Sequence, residues 1–260
     1  MLFTSVYVLI AILCTVVIHR VLRQRSFRWL RGHEAAVSGV QMPSTAGALV
    51  QRYIDAAGLR AFVRAGKRGD KKGHDFYDSD DATVNLTTRT ANSDRLGDGF
   101  IAAHEVGHAV VDHHSRMAKL ICDTSAYVQM PVVTKVLFAA AVVLAFLGPS
   151  LLPLILAALL VQVLAASIIM LVEARATHYG LLIIAGTLEV PENILRALRK
   201  CGHGALFTHS HEVLWPAVLL LVFSALTDYN RSPLLLVPAG AVVAYTVLLA
   251  VCGLSRTAAR

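Results

Sequence analysis

The sequence predicts a mainly α multi-pass membrane protein, with about five transmembrane helices and a small α+β domain on the cytoplasmic side. Three observations lead there. Of the 260 residues, 56% are hydrophobic and only 16% are charged, against about 25% charged in an ordinary soluble domain. The apolar residues fall in long runs rather than in amphipathic stripes. The basic residues cluster beside those runs: Lys and Arg number 24 against 17 Asp and Glu, a formal net charge of +7. This composition excludes a disordered chain and a nucleic-acid-binding tail. The charge rule for membrane proteins accounts for the basic excess, so no nucleic-acid partner is needed. Cys14, Cys122, Cys201 and Cys252 are widely spaced without a CxxC, which gives neither a disulfide framework nor a cysteine zinc site.

The elements follow in order. Residues 2–21 are long enough to cross a bilayer, and His19 and Arg20 close the run. No basic segment precedes it, and Arg20, Arg23, Arg25, Arg28 and Arg31 stand where a small-residue cleavage site would lie. An uncleaved anchor is therefore expected rather than a signal peptide. Residues 132–147 and 151–172 form an expected helical hairpin around the turn Gly148-Pro149-Ser150, with Gln162 and Ser167 as the polar interruptions of the second arm. Residues 213–227 and 234–254 form another around Asp228 to Ser232. The expected division is an anchor at 1–21, a cytoplasmic domain at 22–131, a transmembrane hairpin at 132–172, a cytoplasmic helical segment at 173–212, a second hairpin at 213–254 and a tail at 255–260. The arginines after the first run place both polar segments in the cytoplasm, with the protein in a cell membrane. In that setting the sequon Asn85-Leu86-Thr87 is a chance match.

Within the polar segment, Ser44 precedes a helical pattern with Leu49, Val50, Tyr53, Ile54 and Ala57 on one face and Gly58 as the stop. Residues 66–81 read as a charged loop, and Thr83 to Thr87 as a strand rich in β-branched residues, either packed in a sheet or offering an edge to a substrate backbone. Asn92, Ser93 and Asp94 read as a turn before a helix expected from about Asp98 to His114.

That last helix carries His104-Glu105-Val106-Gly107-His108. Histidines four apart project from one face and can share a metal ion. Zinc lowers the pKa of a bound water to about 7. Glu105, beside the first histidine, is placed to take that water's proton during attack on a peptide carbonyl and to deliver it to the leaving amine. The alternative is a solvated helix with two surface histidines. The apolar flanks weigh against it, because burying unpaired imidazoles and a carboxylate is costly.

A catalytic zinc ordinarily takes three protein ligands. His113 and His114 lie on the same helix and are poorly placed to join the first pair. Glu173 closes the apolar run 151–172. An ionisable group there is a functional candidate, and the expected topology returns it to the side of His104 and His108. Its alternative reading is a carboxylate marking the membrane interface. Asp112, one turn beyond His108, is either a positioning group for a histidine or a helix-surface residue. Arg175, His178 and Tyr179 are candidates to stabilise the oxyanion. His203, His209 and His211 are either a second metal site or a solvated stretch.

The string Ala102-Ala103-His104-Glu105-Val106-Gly107-His108-Ala109 resembles the core of the bacterial membrane YugP-like neutral zinc metallopeptidases. Thr45 to Arg52 with Asp55 to Leu59 resembles that family's first helix. Asp75-Phe76-Tyr77-Asp78 followed by Thr83 to Leu86 resembles its strand, and Val172-Glu173-Ala174-Arg175-Ala176-Thr177 its glutamate motif. The resemblance covers about residues 1–180. It implies zinc held by His104, His108 and Glu173, Glu105 as catalytic base, and a membrane-bound endopeptidase acting on membrane or membrane-proximal polypeptides at the bilayer surface. Two positions depart from the pattern: Thr177 stands where the family tends to have Ser, and Ser79 where it has Pro. An intramembrane protease is disfavoured, since that class draws its third ligand from an Asp in an apolar span and none is present here. A zinc-binding scaffold or assembly factor without turnover is the remaining alternative.

Overall fold

The computed structural model describes residues 34–114 and 152–204, with isolated positions 20, 24, 28, 32, 136 and 206. The chain divides into two compact units, one of residues 1–25, 121–170 and 207–260, the other of residues 26–120 and 171–206. The second unit contains the sheet, the histidine motif and Glu173.

Helix α1, Ala46–Ala56, starts at Thr45, whose hydroxyl accepts a bond from the Ala48 amide. This N-cap lies one residue beyond the Ser44 expected from sequence. Ala46, Leu49, Val50 and Ile54 form its buried stripe, and Gly58, at φ 62°, ends it in the left-handed region. Strand β1 (Phe62–Ala65), helix α2 (Lys67–Lys72), strand β2 (Phe76–Asp78) and strand β3 (Thr83–Leu86) follow. The sheet order is β1-β3-β2, with β1 parallel and β2 antiparallel to β3. All four residues of β3 are buried. The β-branched run is therefore the centre of the sheet, which removes it as an edge for substrate. Asn85 is fully buried there, with its side-chain amide donating to the Thr83 carbonyl, so the folded chain does not offer the sequon.

The stretch expected as a loop at 66–81 holds α2 and β2. Neither has a readable apolar period, and tertiary contacts hold both. The Gly66 amide bonds the Leu86 carbonyl. Asp75 accepts from the Thr87 amide at 2.6 Å and from the Thr90 hydroxyl at 2.8 Å, which clips the start of β2 to helix α3, Thr88–Asn92. Helix α4, Leu96–His114, begins with Asp98 in its first turn, where the helix dipole favours a carboxylate. Asp98 also accepts from the Ser93 hydroxyl at 2.6 Å. One apolar core joins α1, the sheet and α4 through residues such as Leu49, Ile54, Val84, Leu86, Leu96 and Val106, and includes Ile183, Ile184 and Leu198.

The five-span architecture is corrected. Among the described residues one helix is long and apolar enough to cross a membrane, and the qualifying stretch is Ile168–Thr187. The rest of the described fold is helices around a small three-stranded sheet. The spans expected at 2–21, 132–147, 213–227 and 234–254 lie outside the described residues. The span expected to end before Glu173 is instead part of helix α5, Leu152–Thr187, which runs unbroken through it. No proline interrupts residues 172–187, so the backbone bonds continue where the apolar run stops. Hydropathy marks where charge begins, and it does not separate lipid-facing from core-facing residues: Ile183 and Ile184 have no exposed surface within the protein. Residues 192–204 are helical and follow α5 as α6.

Candidate metal centre

The site forms where α4 and α5 touch. A side chain at Gly107 would collide with the Ala176 backbone, and one at Gly180 would press on the His104 backbone. Both glycines thus allow the two helices to approach backbone to backbone, and Ala176 between them is itself fully buried. Glu173 lies one turn before Ala176 on the same helix, and His104 and His108 flank Gly107. Close approach therefore brings the carboxylate within reach of both imidazoles.

The Nε2 atoms of His104 and His108 are 3.2 Å apart. Glu173 Oε2 lies 3.2 Å from His104 Nε2 and 3.6 Å from His108 Nε2. Tetrahedral ligands at about 2.0–2.1 Å from one zinc ion stand about 3.3–3.4 Å from each other. The observed edges of 3.2, 3.2 and 3.6 Å lie on either side of that spacing. Three acceptor-capable atoms converge, and the available imidazole N–H groups cannot satisfy all three contacts if the outer nitrogens carry the protons. That donor set, two nitrogens and a carboxylate oxygen, fits zinc. His104, His108 and Glu173 also form a metal-capable group by mutual distance, each partly buried.

The surroundings orient these groups. Thr177, 3% exposed, places its hydroxyl 3.2 Å from His104 Nδ1. With Nε2 directed at a metal, Nδ1–H donates to Thr177 Oγ1 and fixes the ring. A side chain at Gly202 would meet the Thr177 methyl and the Phe100 ring, so α6 packs behind Thr177 and holds its rotamer. Burial works to lower the His108 pKa, but the Glu173 carboxylate, through its hydrogen bond and charge, and the charge of Glu105 outweigh it and raise it.

Glu105 accepts a bond from the Tyr77 main-chain N–H at 2.9 Å, so β2 lies against the motif helix. The Tyr77 phenol donates to Asp112 at 2.9 Å. Burial and that carboxylate raise the Tyr77 pKa above the ordinary phenol value, which keeps the hydroxyl protonated and donating. Asp112 thus has a defined partner rather than being a plain surface group. His113 and His114 are exposed, and His114 bonds the Val110 carbonyl. Arg175 and His178 are exposed, while Tyr179 stacks on His114. His203 is half-buried, and His209 and His211 lie outside the described residues. Sequence reasoning missed the roles of Tyr77, Gly107, Gly180 and Gly202. Gly107 stood inside the motif, and small residues on facing helices are the signal that would have found it.

Fold and site together define a gluing of two helices around a metal-capable His-His-Glu cluster with a carboxylate beside it, the equipment of a metallopeptidase. The chain belongs to the family described as "Putative neutral zinc metallopeptidase", whose model matches residues 4–228. Zinc is accordingly its metal and a polypeptide its class of substrate. No curated protein and no solved structure matches the chain.

Proposed function

We propose that the chain is a zinc endopeptidase in which His104, His108 and Glu173 hold the metal and Glu105 is the general base. The observation that carries this reading is the triangle of ligand atoms, 3.2, 3.2 and 3.6 Å on its edges. Zinc, when bound, supplies Lewis acidity to a water and to the scissile carbonyl. Glu105 accepts the proton of the attacking water and hands it to the amine nitrogen as the C–N bond breaks. Thr177 keeps the His104 ring in register. β2 is an outer strand of the sheet, and the Tyr77 N–H at its middle is bonded to Glu105.

The finer assignment is a YugP-like enzyme at a cell membrane, with its active site on the cytoplasmic side and membrane-proximal polypeptides as substrates. Support comes from the 56% hydrophobic composition and from the basic residues Arg20 to Arg31. Fractionation with protease protection of the intact cell tests the location: recovery in the soluble fraction would contradict it. For the chemistry, wild type and Glu105→Gln are compared on an unfolded polypeptide substrate at equal zinc content. The wild type should cleave it, and the variant should lose about 10²–10⁴-fold in rate. Equal cleavage by both would remove Glu105 from the role.

A further inference from the structure

We infer that Tyr77 is a positioning residue for Glu105, holding the base by its main chain and locking that main chain by its phenol. This rests on the zinc-hydrolase reading above. Tyr77 touches α4 at two places. Its N–H reaches Glu105 Oε2 at 2.9 Å, and its hydroxyl reaches Asp112 Oδ2 at 2.9 Å. Glu105 and Asp112 are about two turns apart on the helix, and His108 lies between them in sequence. One residue therefore grips, at two points, the helix stripe beside the one that carries His104 and His108.

The arrangement matters because β2 is short. It has three residues at the border of the sheet, and short border strands open readily. Asp75 anchors its start. Arg68, at 2.7 Å from Asp78, anchors its end, but that arginine side chain is half exposed. The Tyr77 phenol is the anchor in the middle, at the residue whose N–H holds the base. A general base displaced by about 1 Å loses rate out of proportion to any lost binding. Losing the phenol bond should therefore lower kcat and leave metal and substrate affinity nearly intact.

The experiment compares wild type, Tyr77→Phe, Asp112→Ala and the double variant as full chains. It reads kcat and KM with zinc bound, zinc content, and main-chain amide exchange with zinc removed. Tyr77→Phe should keep its zinc and KM, lose roughly 10- to 100-fold in kcat, and exchange the amide at position 77 about tenfold faster, with the β3 amides unchanged. The double variant should be no slower than the worse single variant, because the phenol–carboxylate bond is lost in both. Wild-type kcat and exchange in Tyr77→Phe would overturn the inference. So would a rise in KM or zinc loss with accelerated exchange throughout the sheet, which marks a role in folding alone, and so would additive losses in the double variant. Failure of the hydrolase reading is recognised separately, by wild type and Glu105→Gln behaving alike, and the exchange comparison does not depend on turnover.

Discussion

Thr177 shows how much a single hydroxyl can decide. It is buried against His104 Nδ1 and backed by α6. Thr177→Val keeps the shape and removes the acceptor. Zinc affinity should fall about 10- to 100-fold, as measured by competition with a chromogenic chelator, while Thr177→Ser should stay near wild type. Unchanged affinity in the valine variant would mean that the ring is oriented by other means. At this scale the sequence was informative where chemistry is local. His104 and His108 could be read from helical spacing, since the four-residue step fixes their common face. Glu105 is a candidate base by adjacency to His104 alone. Glu173 was legible as a charge closing an apolar run. Tyr77 was not, because its contacts with Glu105 and Asp112 span 28 and 35 residues of sequence and no short-range pattern encodes them.

Between elements, the crossing of α4 and α5 governs the site. Gly107→Ala would force a methyl into the Ala176 backbone. We expect a loss of about 1–3 kcal/mol in denaturant unfolding together with weakened zinc binding, because the helices must separate. Gly186→Ala is the matched comparison: a methyl there meets nothing within 4 Å, and the higher helix propensity of alanine should leave the protein at least as stable. Equal destabilisation by both would show that helix approach is not what Gly107 provides. The elements with strong periods, α1 and α4, were readable to within two or three residues of their ends. β1, α2 and β2 were not, because they have few residues and owe their shape to partners such as Leu86 and Asp75. The apolar run 151–172 was visible, but its helix continues to Thr187, since a charged face does not stop backbone hydrogen bonding.

For the molecule as a whole, zinc would join residues 69 positions apart, His104 and Glu173. Metal that binds only the folded chain stabilises it, by about 2.7 kcal/mol at a hundredfold excess over Kd, so a chelator should lower the unfolding midpoint reversibly. The pH dependence should differ in sign between the two forms. The His108 pKa is raised above its ordinary 6.5 in the metal-free fold. That contribution is complete below the unfolded value and is lost as pH rises through the folded one. Zinc needs the unprotonated imidazole, so its contribution grows as pH rises. Melting curves of the two forms from about pH 5 to about pH 9 should diverge, and parallel curves would contradict the assignment of His108. The overall architecture was the least legible part. The apolar runs predict five membrane crossings, whereas among the described residues one helix has that character, and Ile183 and Ile184 on it are buried inside the protein.

The central claim is that a carboxylate from α5 completes the metal site begun on α4. X-ray absorption at the zinc edge tests it most directly, on the wild type and on Glu173→Ala. The expected result is a shell of nitrogen and oxygen at about 2.0–2.1 Å without sulfur, with one oxygen ligand lost or replaced and zinc held more weakly in the variant. A sulfur shell, or identical spectra and affinities for the two proteins, would contradict it.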